Sequence, residues 1–69
     1  MKVDGARMRA ARINAGKSTQ DAAQIAEMSD SSISRMETKG GTMNLHIARA
    51  LAKAYGVAVR SFEAREVVK

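Results

Sequence analysis

The sequence predicts an all-α fold of five short helices, based on its composition, its capping residues and the spacing of its apolar residues. The 69 residues include thirteen Ala, no Pro and only two aromatic side chains. Ala is the strongest helix former, whereas strands favour aromatic and β-branched residues. A chain this short has room for one hydrophobic core, so we expect residues 1–69 to form a single domain.

The first two helices are predicted from their caps and from apolar spacing. Asp4 is a suitable N-cap for the first helix, which runs to Ala15, ends before Gly16 and has Met8, Ala11 and Ala15 on one side. The second helix begins at Ser18 or Thr19, with Asp21 in its first turn. Its candidates for burial are Ala22, Ala23, Ile25 and Ala26.

The third helix has one apolar edge and one polar face. Ser29 is its expected N-cap, and Lys39-Gly40-Gly41 is its expected end. Ile33 and Met36 form the edge that can be buried. The opposite face carries Asp30, Ser31, Ser34 and Arg35.

Two further helices are expected in the last third of the chain. The fourth runs from Asn44 to Tyr55, stops at Gly56, and has as its apolar side Leu45, Ala48, Leu51, Ala52 and Tyr55. The fifth spans about Val59 to Glu66 and buries Val59 and Phe62. The tail, residues 66–69, either extends this helix or forms a strand.

Charge and composition restrict the classes of function. Twelve Lys and Arg against seven Asp and Glu give a net charge of +5, which favours an anionic partner, with nucleic acid first. The chain has no Cys and one His, so we expect no metal site, no cofactor and no catalytic constellation. No apolar run approaches the roughly 20 residues of a membrane span, which predicts a soluble, intracellular protein without a membrane partner.

The second and third predicted helices form a helix-turn-helix over about residues 18–38. They are separated only by Glu27-Met28-Ser29, and in this motif the second helix presents a polar face to the DNA major groove. Such a helix packs one face on the body and reads base edges with the other. The third helix, over about residues 30–38, has this division.

Three segments resemble the Cro/lambda-repressor-like family, also called XRE-type: RMRAAR at 7–12, GKSTQDAAQIAEMSDSSISRME at 16–37 and LHIARALAKAYGV at 45–57. The resemblance implies a five-helix lambda-repressor-like domain that binds double-stranded operator DNA as a homodimer. It also implies a transcriptional regulator, a repressor by expectation, in the bacterial cytoplasm or nucleoid. The small size looks most like a phage Cro protein or a minimal prophage or plasmid regulator.

The resemblance also implies a role for individual residues. The family's base-reading positions fall on Asp30, Ser31, Ser34 and Arg35. Its phosphate contacts fall on Thr19, Gln20, Lys39, Thr42 and Asn44. Its internal ion pair between the first and third helices falls on Arg12 and Glu37. Many members have Gly where this chain has Glu27, at a place where a positive φ is wanted.

Three features of the sequence allow more than one interpretation: Asp30, a basic stripe on the fourth helix and the class of partner. Asp30 could accept a hydrogen bond from cytosine or merely stabilise the start of its helix. His46, Arg49 and Lys53 form a stripe that either lies against DNA or is simply solvated. The alternative function is an antitoxin or antiactivator that binds a protein, which would be indicated by exposed apolar residues such as Ile25, Val67 and Val68 together with a failure to bind duplex DNA.

Overall fold

Four α-helices make up most of the fold. The computed structural model describes residues 1–64. The helices are α1 (Gly5–Asn14), α2 (Thr19–Ala26), α3 (Asp30–Lys39) and α4 (Leu45–Tyr55), and a short 3-10 helix (Val59–Phe62) follows them. Two-residue strands, β1 (Lys2–Val3) and β2 (Gly41–Thr42), complete the described part. The helical content agrees with the predicted all-α class.

The prediction of a fifth α-helix over Val59–Glu66 is wrong for its described part. The chain makes a 3-10 turn at Val59–Phe62, and Glu63 then pairs with Val3 in an antiparallel bridge. Val59 and Phe62 are three residues apart, a spacing that suits the three-residue turn of a 3-10 helix as well as an α-helix. Phe62 is fully buried. The predicted helix or strand over residues 66–69 lies outside the described residues.

Every α-helix within residues 1–64 begins at a side-chain cap. The oxygens of Asp4, Ser18, Ser29 and Asn44 each accept a backbone N–H from the first turn of the helix that follows. These bonds satisfy donors that have no partner inside the helix. The structure selects Ser18 rather than Thr19 as the second cap.

The strands tie the segment after α3 to the amino-terminal segment. Lys2 lies opposite Thr42 and Val3 opposite Gly41 in an antiparallel pair. Gly40, with φ of 70°, ends α3 where a Cβ would lie 2.7 Å from the carbonyl oxygen of Val3. Glycine is therefore required there both for the left-handed φ and for the close approach.

The core lies between α1, α2, α3, α4 and the 3-10 helix. Its largest fully buried side chains are Phe62, Met8, Ile33 and Leu51, and alanines of α2 and α4 fill the narrower spaces. Leu45 departs from the prediction, since it is 42% exposed at the first turn of α4. Ala15, Ile25, Met36 and Val59 are only partly buried. No helix within residues 1–64 is long and apolar enough to cross a membrane.

Candidate nucleic-acid interface

Three residues connect α2 to α3 through a left-handed turn. Glu27 ends α2 with φ of 55° and ψ of 44°, and it is the one non-glycine residue with positive φ within residues 1–64. Met28 then donates its backbone N–H to the carbonyl of Ala23 at 2.9 Å. The positive φ expected from the family pattern is present, although here a glutamate adopts it.

The turn places α3 against both α1 and α2. Ile33 is fully buried on its inner side, and Glu37 is buried one turn later. Because the inner face is committed to the core, the opposite face of the helix points to solvent. The exposed residues on α3 include all four predicted base readers, Asp30, Ser31, Ser34 and Arg35.

A buried ion pair connects α1 to the inner side of α3. Arg12 Nε donates to Glu37 Oε2 at 2.7 Å, and Nη2 donates to Oε1 at 3.0 Å. The remaining guanidinium nitrogen, Nη1, donates to the carbonyl of Lys17 at 2.8 Å. This two-bond geometry fixes orientation as well as distance, so α3 is held at a defined angle to α1 and to the segment leading into α2.

Tyr55 lies beside this pair. Its ring packs edge to face on Phe62 with centroids 5.8 Å apart. Burial, together with the negative charge of Glu37, raises the pKa of Tyr55 to about 12. The hydrogen bond to Glu37 raises the pKa of Arg12, which therefore stays charged. Groups from α1, α3 and α4 thus meet beneath the exposed face of α3.

The amino terminus of α2 provides the first group of predicted phosphate contacts. Ser18 and Asp21 form a capping box, with each side chain accepting the other's backbone N–H at 3.0 Å. The bond from the Ser18 backbone N–H holds the pKa of Asp21 below its usual value. The backbone N–H groups of Thr19 and Gln20 have no partner among residues 1–64 and can donate to an anion.

The second group of predicted phosphate contacts follows α3. Lys39, Thr42 and Asn44 are all exposed. Asn44 uses its side-chain oxygen to cap α4, accepting the N–H of His46 at 2.7 Å, so its amide nitrogen remains available to donate. Thr42 lies on β2, where it pairs with Lys2. The first group of predicted contacts therefore lies at the start of α2, and the second runs from the last residue of α3 to the cap of α4.

One exposed residue of α3 was not among the predictions. Thr38 lies one turn beyond Ser34 and donates its hydroxyl to the Ser34 carbonyl at 2.8 Å. Its position four residues after Ser34 was the available signal. Residues 1–64 contain no cluster of three or more His, Asp or Glu that could hold a metal ion.

Formal charge is unevenly divided between the helix-turn-helix and the rest of the molecule. Residues 18–39 contain four acids and two bases, a formal charge of −2. The other described residues, 1–17 and 40–64, contain eight bases and two acids, a formal charge of +6. The positive potential of the described residues therefore originates mainly outside the helix-turn-helix.

Comparison with known families agrees with this geometry. A family model described as a helix-turn-helix domain matches residues 5–64, a range that extends from α1 through the 3-10 helix. Neither curated proteins nor solved structures yield a significant match. The match covers most of the chain and includes the two helices and the turn described above, and the chain therefore belongs to the XRE/Cro-like helix-turn-helix family of DNA-binding domains.

Proposed function

We propose that this chain is a sequence-specific repressor of transcription, similar in type to a phage Cro protein, that reads the major groove of double-stranded DNA with α3. Asp30, Ser31, Ser34 and Arg35 contact base edges. The phosphate contacts come from Thr19, Gln20, Lys39, Thr42 and Asn44. The chain needs no cofactor or metal and is not an enzyme. Its site of action is the bacterial cytoplasm.

The exposed polar face of α3 carries this proposal. The helix is capped at Ser29, held from beneath by the Arg12–Glu37 pair, and leaves its hydroxyl, carboxylate and guanidinium groups free to hydrogen-bond. Ser29 accepts the Ser32 N–H at 3.1 Å and donates its hydroxyl to Ser32 Oγ at 2.9 Å. The side chains of Ser29 and Ser32 are thus hydrogen-bonded to each other. The side chains of Ser31 and Arg35 form no hydrogen bond among residues 1–64.

Selection of bound duplexes from a random pool tests the proposal. We expect enrichment of one sequence, and Arg35→Ala should weaken binding to it by about 1–3 kcal/mol while relaxing the preference at one base pair. Arg9→Ala, at an exposed position on α1, is the matched control and should leave the preference unchanged. A pool that stays random, or equal effects of the two variants, would contradict base reading by α3.

A homodimer is part of the proposal. One domain contacts a single half-site, and two-fold symmetric binders of this motif read half-sites about one helical turn apart. The enriched sequence should therefore be a palindrome of that spacing, and sedimentation should find two chains on it. A single half-site with one bound chain would rule out the dimer.

The alternative is an antitoxin or antiactivator that binds a protein. Ile13 and Leu45, the large apolar residues that are 48% and 42% exposed, are the observation that favours it. Ile25, one of the apolar residues expected to be exposed for this role, is partly buried against the core, and Val67 and Val68 lie outside the described residues. Failure of the wild-type chain to bind any duplex at low salt would favour this alternative over the repressor.

A further inference from the structure

We propose that the exposed side of α4, defined by His46, Arg49 and Lys53 and called here the α4 basic face, is a second contact surface for DNA phosphates. The inference rests on the proposed function, since it assigns the source of attraction to the same duplex that α3 reads. It concerns residues beyond the loop contacts at Thr42 and Asn44.

The geometry of α4 separates this face cleanly from the core. Ala48, Leu51, Ala52 and Tyr55 are buried, whereas His46, Arg49 and Lys53 are exposed. At 100° per residue, positions 46, 49 and 53 lie within about 60° of one another around the helix. The helix contains no Asp or Glu, so no carboxylate of its own weakens the positive potential there.

Two other cations of the described chain, Arg7 and Arg12, are less available. Arg12 is buried and paired with Glu37, and Arg7 Nε lies 3.6 Å from a carboxylate oxygen of Asp4. Neither Arg49 nor Lys53 forms an ion pair within residues 1–64. Since the helix-turn-helix itself has a formal charge of −2, unpaired cations outside it add the positive charge that attracts phosphate.

The chain path limits how far the start of α4 can lie from the expected groove. From Lys39 to Asn44 is five residues, which span at most about 17 Å. The major groove is about 12 Å wide and bordered by phosphates, so the start of α4 is within reach of that border when α3 occupies the groove. The face extends about 10 Å along the helix.

The salt dependence of binding to a random duplex tests this assignment. The Arg49→Gln/Lys53→Gln variant should lower the slope of log affinity against log salt by about 1.8, or 0.9 for each phosphate contact removed. Arg9→Gln/Arg60→Gln removes the same charge from exposed positions on α1 and the 3-10 helix and should change the slope much less. Thermal melting of both variants should match that of the wild type, because all four side chains are exposed.

Each outcome separates the inference from the function on which it rests. Wild-type binding with equal slopes for the two variants would overturn the α4 basic face while leaving the repressor in place. A wild-type chain that binds no duplex at low salt would overturn both. An unchanged DNA slope, with binding to polyglutamate lost only in Arg49→Gln/Lys53→Gln, would assign the face to an acidic protein and overturn the phosphate contact.

Discussion

Arg12 makes more polar contacts than any other side chain within residues 1–64, because its three guanidinium nitrogens all donate to Glu37 or to Lys17. Arg12→Ala leaves the Glu37 carboxylate buried without a partner. Breaking a buried pair in this way costs about 3–5 kcal/mol, a large part of the stability of a domain this small. We expect a markedly lower midpoint in chemical denaturation, and weaker DNA binding as an indirect result.

Arg35→Ala is the matched control for this prediction. It also removes an arginine, but from an exposed position on the outer face of α3, so its free energy of unfolding should lie within about 0.5 kcal/mol of the wild type. If Arg12→Ala unfolded at the same denaturant concentration as Arg35→Ala, the pair would contribute nothing to stability.

Glu27 adopts a backbone conformation that suits glycine better. A non-glycine residue in the left-handed region is strained by roughly 1–2 kcal/mol, whereas Gly adds about 0.5–1 kcal/mol of entropy loss on folding. Glu27→Gly should therefore leave stability unchanged or raise it by up to about 1.5 kcal/mol. Gln24→Gly, at an exposed position inside α2, should instead lower stability by about 1 kcal/mol. If Glu27→Gly and Gln24→Gly lowered the free energy of unfolding in urea equally, Glu27 would not be strained.

Ionisation of Tyr55 is expected to lower the stability of the fold at alkaline pH. Its pKa is raised from 10.0 to about 12 in the folded chain, so the unfolded chain loses this proton first. The contribution of protonated Tyr55 to the free energy of unfolding is fully present below pH 10 and is lost as the pH rises towards 12. Because Tyr55 is the only tyrosine and there is no tryptophan, near-ultraviolet absorbance follows its ionisation directly.

Tyr55→Phe provides the comparison for this titration. The variant keeps the ring that packs on Phe62 and lacks the ionisable hydroxyl, so its unfolding free energy should fall less between pH 10 and 12. Other titrating groups are common to both proteins. A tyrosine that ionises with its ordinary pKa of 10.0 in the folded protein would contradict this account.

The packing of α1 on α3 depends on a glycine in the first turn of α1. A Cβ at Gly5 would clash with the carbonyl oxygen of Met36 and would lie 2.5 Å from that of Glu37. These are backbone atoms, so Gly5→Ala must push the helices apart, with an expected loss of about 1–3 kcal/mol. Ala10→Ser, at an exposed position on the same helix, should have little effect. If Gly5→Ala and Ala10→Ser melted at the same temperature, α1 and α3 would be able to move apart without a loss of stability.

The elements that the sequence predicts well are those specified by local chemistry. Asp4 and Ser29 were predicted as caps because a side-chain oxygen before an amphipathic segment is a signal contained in one turn. The strands were not, because β1 and β2 have two residues each and no side-chain period can be seen over so short a length. The 3-10 helix was predicted as an α-helix because Val59 and Phe62 are three residues apart, a spacing that both kinds of helix allow.

The candidate site was predictable to a similar extent. Burial of Ile33 determines which side of α3 is exposed, so periodicity indicates Ser31 and Arg35 as exposed residues. Periodicity does not give the bond from Arg12 to the Lys17 carbonyl, since that depends on how α1 meets the start of α2. The exposure of Leu45 was likewise missed, because the apolar pattern of α4 does not show that its first turn extends beyond the core.

The molecule as a whole combines a basic body with an acidic reading motif. Within residues 18–39, Glu37 is neutralised by Arg12, whereas Asp21, Glu27 and Asp30 are exposed. Asp21 is committed to the capping box with Ser18. Glu27 and Asp30 are therefore the exposed acids of this motif whose side chains form no hydrogen bond to a helix end within residues 1–64. We expect their negative charge to repel DNA phosphates and so to weaken binding to wrong sites.

Neutralising these two carboxylates should change specificity more than fold stability. At about 10 Å in water, one unit charge contributes roughly 0.4 kcal/mol per phosphate, so Glu27→Gln/Asp30→Asn should bind random duplex about three- to tenfold more tightly. The selected site should gain less, because a contact from Asp30 to a cytosine amino group would be lost there. Glu63→Gln removes an exposed acid outside the motif. It should tighten binding to the selected and the random duplex slightly and by the same factor. Competition between the selected and random duplexes measures the ratio, and an unchanged ratio would leave Asp30 with only its role at the positive end of the α3 dipole.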